Sequence, residues 1–160
     1  MTLIQAINEV DNLKPNMYGL PEKIKWLSRL DRRIFEEILL THRLSEEEKQ
    51  PFLPEPEEGE EQETEEEPFD PYQWHPLPPP VKPEKLVFEG YTEEDQDKEL
   101  IVKEPYDEIY VHWLSAQIDW NNREYAGFNA TNAVFEATYT AFRNAFNRTH
   151  RPKGRRKIYY

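Results

Sequence analysis

The chain has 160 residues, a formal net charge of −12, 37% hydrophobic and 32% charged residues, 14 prolines and no cysteine. That length is one domain with room for a real core, while the composition points to a folded part joined to a part that does not fold. The missing cysteines exclude disulfides and thiolate metal sites, and the acidic balance argues against general nucleic-acid binding.

The opening run MTLIQAINEV has no basic leader, and no apolar run reaches membrane-spanning length. The expectation is a soluble protein made without a signal peptide and with no membrane partner. Thr2 and Gln5 have capping-box spacing, and Leu3, Ile4, Ile7 and Val10 form a narrow apolar stripe, predicting a short helix closed by Pro15. Asn16–Gly19 reads as a turn, and Pro21 suits the first turn of the next helix, where its missing N–H costs nothing. Ile24, Leu27, Leu30, Ile34 and Ile38 form that helix's stripe, with Phe35 beside it. Arg32–Glu36 and Arg33–Glu37 decorate its outside as i, i+4 pairs.

Beyond Thr41-His42 the periodicity stops. Residues 45–67 hold twelve glutamates and one lysine, and residues 68–84 hold seven prolines. An acidic run followed by a proline run buries too little apolar surface to offset its ordering entropy, so 45–84 is expected to be an extended, mobile insertion. Phe69, Tyr72, Trp74 and Leu77 are odd for pure linker and suggest docking on the body or on a partner. Leu86–Tyr91 and Leu100–Val102 are two short apolar runs able to pair as a small β-hairpin.

Between Glu104 and Asn147 lie ten of the chain's 21 aromatic residues. Tyr106, Ile109, Tyr110, Trp113, Gln117 and Trp120 share one helical stripe. After an expected break at Tyr125-Ala126-Gly127, Phe128, Thr131, Phe135, Tyr139, Phe142 and Phe146 share another. Two helices, 104–124 and 127–147, joined so closely should lie antiparallel with the stripes facing. The fold class expected is therefore mainly all-α: a single domain over 1–160, a small bundle with a long C-terminal helical hairpin.

Each of these helices has a second face. Val111, Leu114 and Ile118 stand away from the aromatic stripe of the first; Ala133, Ala137 and Ala141 form an i, i+4 ridge opposite that of the second. A helix apolar on two sides must be covered on two sides, by other helices of the chain or by a neighbouring copy. The sharper expectation is that these six residues form a subunit contact. The chain ends in a basic arm, 148–160, with Arg148, Arg151, Lys153, Arg155, Arg156 and Lys157 followed by Ile158, Tyr159 and Tyr160. Such an arm suits an acidic surface, a nucleic acid or a sheet edge. Catalytic constellations are not seen: the four histidines are scattered, five glycines make no phosphate loop, and the glutamates lack a calcium loop's spacing. No enzyme activity, cofactor or metal is expected.

The order of parts resembles the head–tail connector (adaptor) proteins of long-tailed bacteriophages and prophages. The resemblance lies in Thr2-Leu-Ile-Gln-Ala-Ile-Asn8, Leu13-Lys-Pro-Asn16, Lys23-Ile-Lys-Trp-Leu-Ser-Arg-Leu-Asp31, Phe88-Glu-Gly-Tyr91 and Leu100-Ile-Val102. It continues in Pro105-Tyr-Asp-Glu-Ile-Tyr110, Ala116-Gln-Ile-Asp119, Asn147-Arg-Thr-His150 and Pro152-Lys-Gly154, so that it covers 1–43 and 86–160. It implies a homo-oligomeric ring, typically twelvefold, beneath the portal vertex of the virion. Such a ring extends the DNA channel and offers a platform to the next neck or tail protein. The arm would then dock on the portal protein, and a net-acidic channel would pass DNA without holding it. The insertion at 45–84 departs from the family, in which it is usually much shorter. Two other classes fit the residues: a helical adaptor binding nucleic acid through the basic tail, and a regulatory module using the acidic, proline-rich segment as a ligand.

Overall fold

The computed structural model describes residues 1–54 and 85–154. Among these residues five α-helices, α1 (Leu3–Leu13), α2 (Leu20–Glu37), α3 (Glu46–Lys49), α4 (Glu108–Asn121) and α5 (Tyr125–Thr149), carry the fold, with 3₁₀ turns at Leu39–Thr41 and Gln50–Phe52. The protein is mainly all-α, as its periodicity predicts, and there is no strand among the described residues.

Local chemistry sets the ends of the helices. Thr2 and Gln5 close a reciprocal capping box on α1, satisfying two otherwise orphaned donors. Pro21 sits in the first turn of α2, and the Glu22 side chain accepts from the Gly19 N–H at 2.6 Å. The α4–α5 turn comes earlier than Tyr125–Gly127. Arg123 takes a left-handed φ of 62°, and Glu124 N–H reaches the Asp119 carbonyl at 2.9 Å, a Schellman closure without its usual glycine. Gly127 serves another purpose inside α5: a Cβ there would stand 3.3 Å from the Asp119 carboxylate.

The aromatic stripes meet as their spacing requires. Tyr106 faces Phe142 at 6.1 Å between ring centres, Trp113 faces Phe135 at 5.0 Å, and Trp120 faces Phe128 at 5.0 Å. Each step of seven residues up α4 meets a step of seven down α5, the heptad register of an antiparallel helix pair. The other two helices cover the far side of α4. Met1 lies 3.5 Å from Asp107 and Lys14 is ion-paired with Asp119, so α1 runs parallel to α4. Trp113 donates its indole N–H to the Trp26 carbonyl at 2.9 Å, and Tyr110 meets Asp31, so α2 runs the opposite way. The result is an up-down-up-down bundle whose turns, 13–19 and 122–124, share one end.

At the other end two irregular segments wrap the bundle. Leu86–Tyr91 and Leu100–Val102 do not pair with each other, contrary to the hairpin expectation. Val87 N–H instead donates to the Phe52 carbonyl at 2.8 Å, while the second run lies along the start of α1, with Leu100 N–H to the Met1 carbonyl at 3.2 Å and Thr2 bridged to Glu99. Neither run has a partner run of matching length, so each borrows backbone groups from the body. The acidic stretch also starts differently from expectation. Ser45 and Glu48 form a capping box, α3 follows, and Phe52 is buried against Phe35 at 5.0 Å. Residues 45–54 thus belong to the folded body; the rest of the predicted insertion lies outside the described residues.

Candidate functional site

The six residues expected at a subunit contact divide cleanly. Val111, Leu114 and Ile118 are buried inside the single chain, at 5%, 0% and 0% exposure, because α1 and α2 pack on that face of α4. They belong to the core, and the subunit-contact reading is corrected for them. Ala133, Ala137 and Ala141 are exposed, together with Val134 at 47%. Their ridge runs along the outside of α5 beside the exposed Ala126 and Ala130. The inner face of α5 is occupied by Phe135, Tyr139 and Phe142, all buried.

The basic arm is also partly absorbed by the fold. Arg148 lies in the last turn of α5, where its charge suits the helix C-terminus. The chain then lies antiparallel to residues 41–43: Arg43 N–H donates to the Arg151 carbonyl at 2.9 Å, Lys153 N–H donates to the Thr41 carbonyl at 2.8 Å, and His42 is bridged to Pro152. Pro152 ends the helix but does not prevent this pairing, because it sits between the two bonded positions. Arg148, Arg151 and Lys153 are therefore parts of the body rather than of a free arm. Arg155, Arg156, Lys157, Ile158, Tyr159 and Tyr160 lie outside the described residues.

His150 ties this corner together. Its ring stacks on Phe146 with centres 3.9 Å apart, and Nε2 lies 2.9 Å from the Glu48 carboxylate. Burial pushes the Glu48 carboxyl up, but hydrogen bonds from Ser45 and His150 outweigh it and leave its pKa lowered. Between α3, the 86–105 segment and the end of α5 lies a groove of about 1240 Å³. Its apolar lining includes Leu44, Phe52, Val87, Phe88, Tyr106 and Phe146, and its acidic side chains are Glu47, Glu48, Glu89, Asp95, Glu99 and Glu104.

Two buried carboxylates escaped the sequence reading. Asp31 is fully buried and accepts from Tyr110 Oη at 2.6 Å, from Tyr91 Oη and from the Ile101 N–H at 3.3 Å. Burial pushes its pKa from 3.8 up to about 6, against the hydrogen bonds from Tyr110, Tyr91 and Ile101, which pull it down. Burial likewise holds the Tyr110 and Tyr91 hydroxyls well above their ordinary range, so both remain donors. Tyr110 Oη in turn accepts from Val102 N–H at 2.8 Å. A signal existed: Asp31 falls between Leu27 and Phe35 in an i, i+4 row of α2, where an acid has no solvent to face. Asp119, also fully buried, is held by Lys14 and by Thr131 Oγ1 at 3.0 Å. These pairs cross 12 and more residues, and no local pattern announces them.

Asp31 and Asp119 have their donors supplied by the fold, and among the described residues no group of three or more histidine and acidic side chains is placed to hold a metal ion. No described helix is long and apolar enough to cross a membrane. What the arrangement offers chemically is surface: an uncharged small-residue ridge on α5, and an acidic, apolar-lined groove at the opposite end from the helix turns. No family model, curated protein or solved structure matches the chain.

Proposed function

We propose that this chain is a non-enzymatic structural protein of a phage virion, a head–tail adaptor. It forms a ring, twelvefold by resemblance, that docks on the portal protein, extends the DNA channel and receives the next neck or tail protein. It assembles in the host cytoplasm and resides at the head–tail interface. The observation that carries the reading is the outer face of α5, on which Ala133, Ala137 and Ala141 stand exposed along a 25-residue helix. Small side chains let a second helix approach closely along i, i+4 ridges, and a ring needs such contacts, repeated heterologously until they close.

Two further features support it. Four of the nine runs that resemble the connector family meet at one place, because Asp31, Tyr91, Ile101 and Tyr110 share one node. The net charge of −12, carried almost wholly by the twelve glutamates and one lysine of 45–67, suits a ring that does not retain phosphate.

The test is Ala137→Glu. Ala137 is exposed in the single chain, so the variant should keep the bundle's helicity and melting temperature while losing the ring, by placing an unpaired carboxylate in a close helix contact. Sedimentation velocity of both proteins, alone and with portal rings, reads the outcome. A wild-type chain that stays monomeric in both settings removes the proposal. Salt-sensitive DNA binding by that monomer would put the nucleic-acid adaptor in its place.

A further inference from the structure

We propose that the acidic groove receives the basic, aromatic segment Arg155–Tyr160 of a second copy of this chain. The groove's charge selects the occupant. Lys98 and Lys103 are already paired with Asp95 at 3.7 Å and with Glu99 at 3.6 Å, and Glu48 is held by His150. Glu47, Glu89 and Glu104 have no cationic partner among the described residues. Three unneutralised acids around an apolar floor match three basic residues followed by Ile158, Tyr159 and Tyr160. Charge pairing at a rim adds little affinity by itself, so the isoleucine and tyrosines on Phe88, Val87 and Phe146 supply most of it.

The direction of the chain selects a neighbour's segment over its own. His150 lines the groove, but the antiparallel pairing with 41–43 carries the next residues past Thr41, away from the α3 wall. By Gly154, whose Cβ position meets nothing within 4 Å, the chain has travelled four residues, roughly 13 Å at 3.3 Å per residue. The six remaining residues reach about 20 Å when fully extended. A return to His150 would take about 13 Å of that reach and leave about two residues for the floor, whereas a neighbour's segment needs no reversal. This inference rests on the ring reading only in naming what links neighbours, and it directs the segment to a neighbouring copy instead of the portal.

The chain has no cysteine, so single-cysteine variants of the full protein report the contact directly. Tyr159→Cys and Val87→Cys are mixed and bridged with a short thiol cross-linker, with circular dichroism confirming that each is folded. The expected result is an interchain product at least tenfold more abundant than from Tyr159→Cys with Leu13→Cys, an exposed site at the opposite end. Changing Glu47, Glu89 and Glu104 to glutamine in the Val87→Cys chain should lower the yield at least fivefold. Equal yields at the two sites overturn the proposal. So does a doubly substituted chain that closes on itself, which assigns the groove to its own tail. A product seen only after deletion of residues 60–80 assigns the groove to that internal segment and overturns it too. Sedimentation of the same samples separates the two readings. A cross-linked pair that never grows keeps the groove and removes the ring, whereas a ring that survives deletion of 155–160 does the reverse.

Discussion

The α4–α5 hairpin and the segment from Leu86 to Asp107 pack on the same bundle, yet they are held in opposite ways. The hairpin is held by rings at seven-residue spacing, each meeting a partner inside the same local unit. The segment's own backbone bonds are confined to short turns, such as Asp95 N–H to the Thr92 carbonyl at 3.2 Å and Lys98 N–H to the Asp95 carbonyl at 2.9 Å. It is pinned from outside, by Ser28 Oγ accepting the Tyr91 N–H at 2.9 Å, by Asp31, by the Tyr110 hydroxyl, and by Leu3 and Ile4 N–H groups donating to the Lys98 and Gln96 carbonyls. A helix satisfies its own backbone and needs only its faces covered. An irregular segment must find a partner for each buried backbone group, so its position depends on polar residues far away in sequence. The difference separates a unit that should persist when its neighbours are altered from one that should be lost with a single side chain.

The largest expected effect breaks the hairpin. Trp113→Ala removes the ring that meets Phe135 and the indole donor to the Trp26 carbonyl. Aromatic truncations of this kind cost about 3–5 kcal/mol, and cooperative unfolding of the whole chain in urea should weaken by that amount. A loss below 1 kcal/mol would mean that the hairpin is not the energetic centre.

Asp31→Asn addresses the other side of the comparison through pH. The folded pKa of Asp31 lies near 6, above its ordinary 3.8, so the native state holds its proton more tightly than the unfolded chain does. The contribution is therefore complete below about pH 4 and is lost as pH rises through 6. At 1.36 kcal/mol per pKa unit the swing is on the order of 3 kcal/mol. Glu37, Glu48 and Asp95 run the other way, since their lowered pKa values withdraw stability only as pH falls below the normal carboxylate range. Between pH 4.5 and 7.5 the melting temperature of wild type should thus fall relative to that of Asp31→Asn as pH rises, and parallel curves would remove the assignment. Amide exchange should show the loss concentrated at Tyr91, Ile101 and Val102, with α4 and α5 still protected.

A smaller effect sharpens the hairpin side. Arg123 holds a left-handed φ of 62° at the Schellman turn, which costs a side-chain-bearing residue strain that glycine avoids. Arg123→Gly should raise stability by about 0.5–1 kcal/mol. Gly127→Ala should do the opposite by crowding the Asp119 carboxylate at 3.3 Å. Denaturant midpoints of the two variants on opposite sides of wild type are the expected outcome.

The four longer helices were determined by the sequence alone, while α3 lay inside a stretch expected to be mobile. The box of Thr2 and Gln5, the stripe from Ile24 to Ile38 and the two aromatic stripes depend on neighbours within a turn or two, so periodicity reveals them. Which faces meet water was decided only by tertiary structure. Val111 and Ala137 lie on equivalent second faces of paired helices, and one is core because α1 and α2 cover it while the other is exposed among the described residues. The same holds for the 86–102 runs, for Phe52 in an otherwise acidic stretch, and for Arg151 and Lys153 against 41–43. Covering a face or pairing a lone backbone group requires a partner tens of residues away, and chain spacing carries no record of which partner arrives.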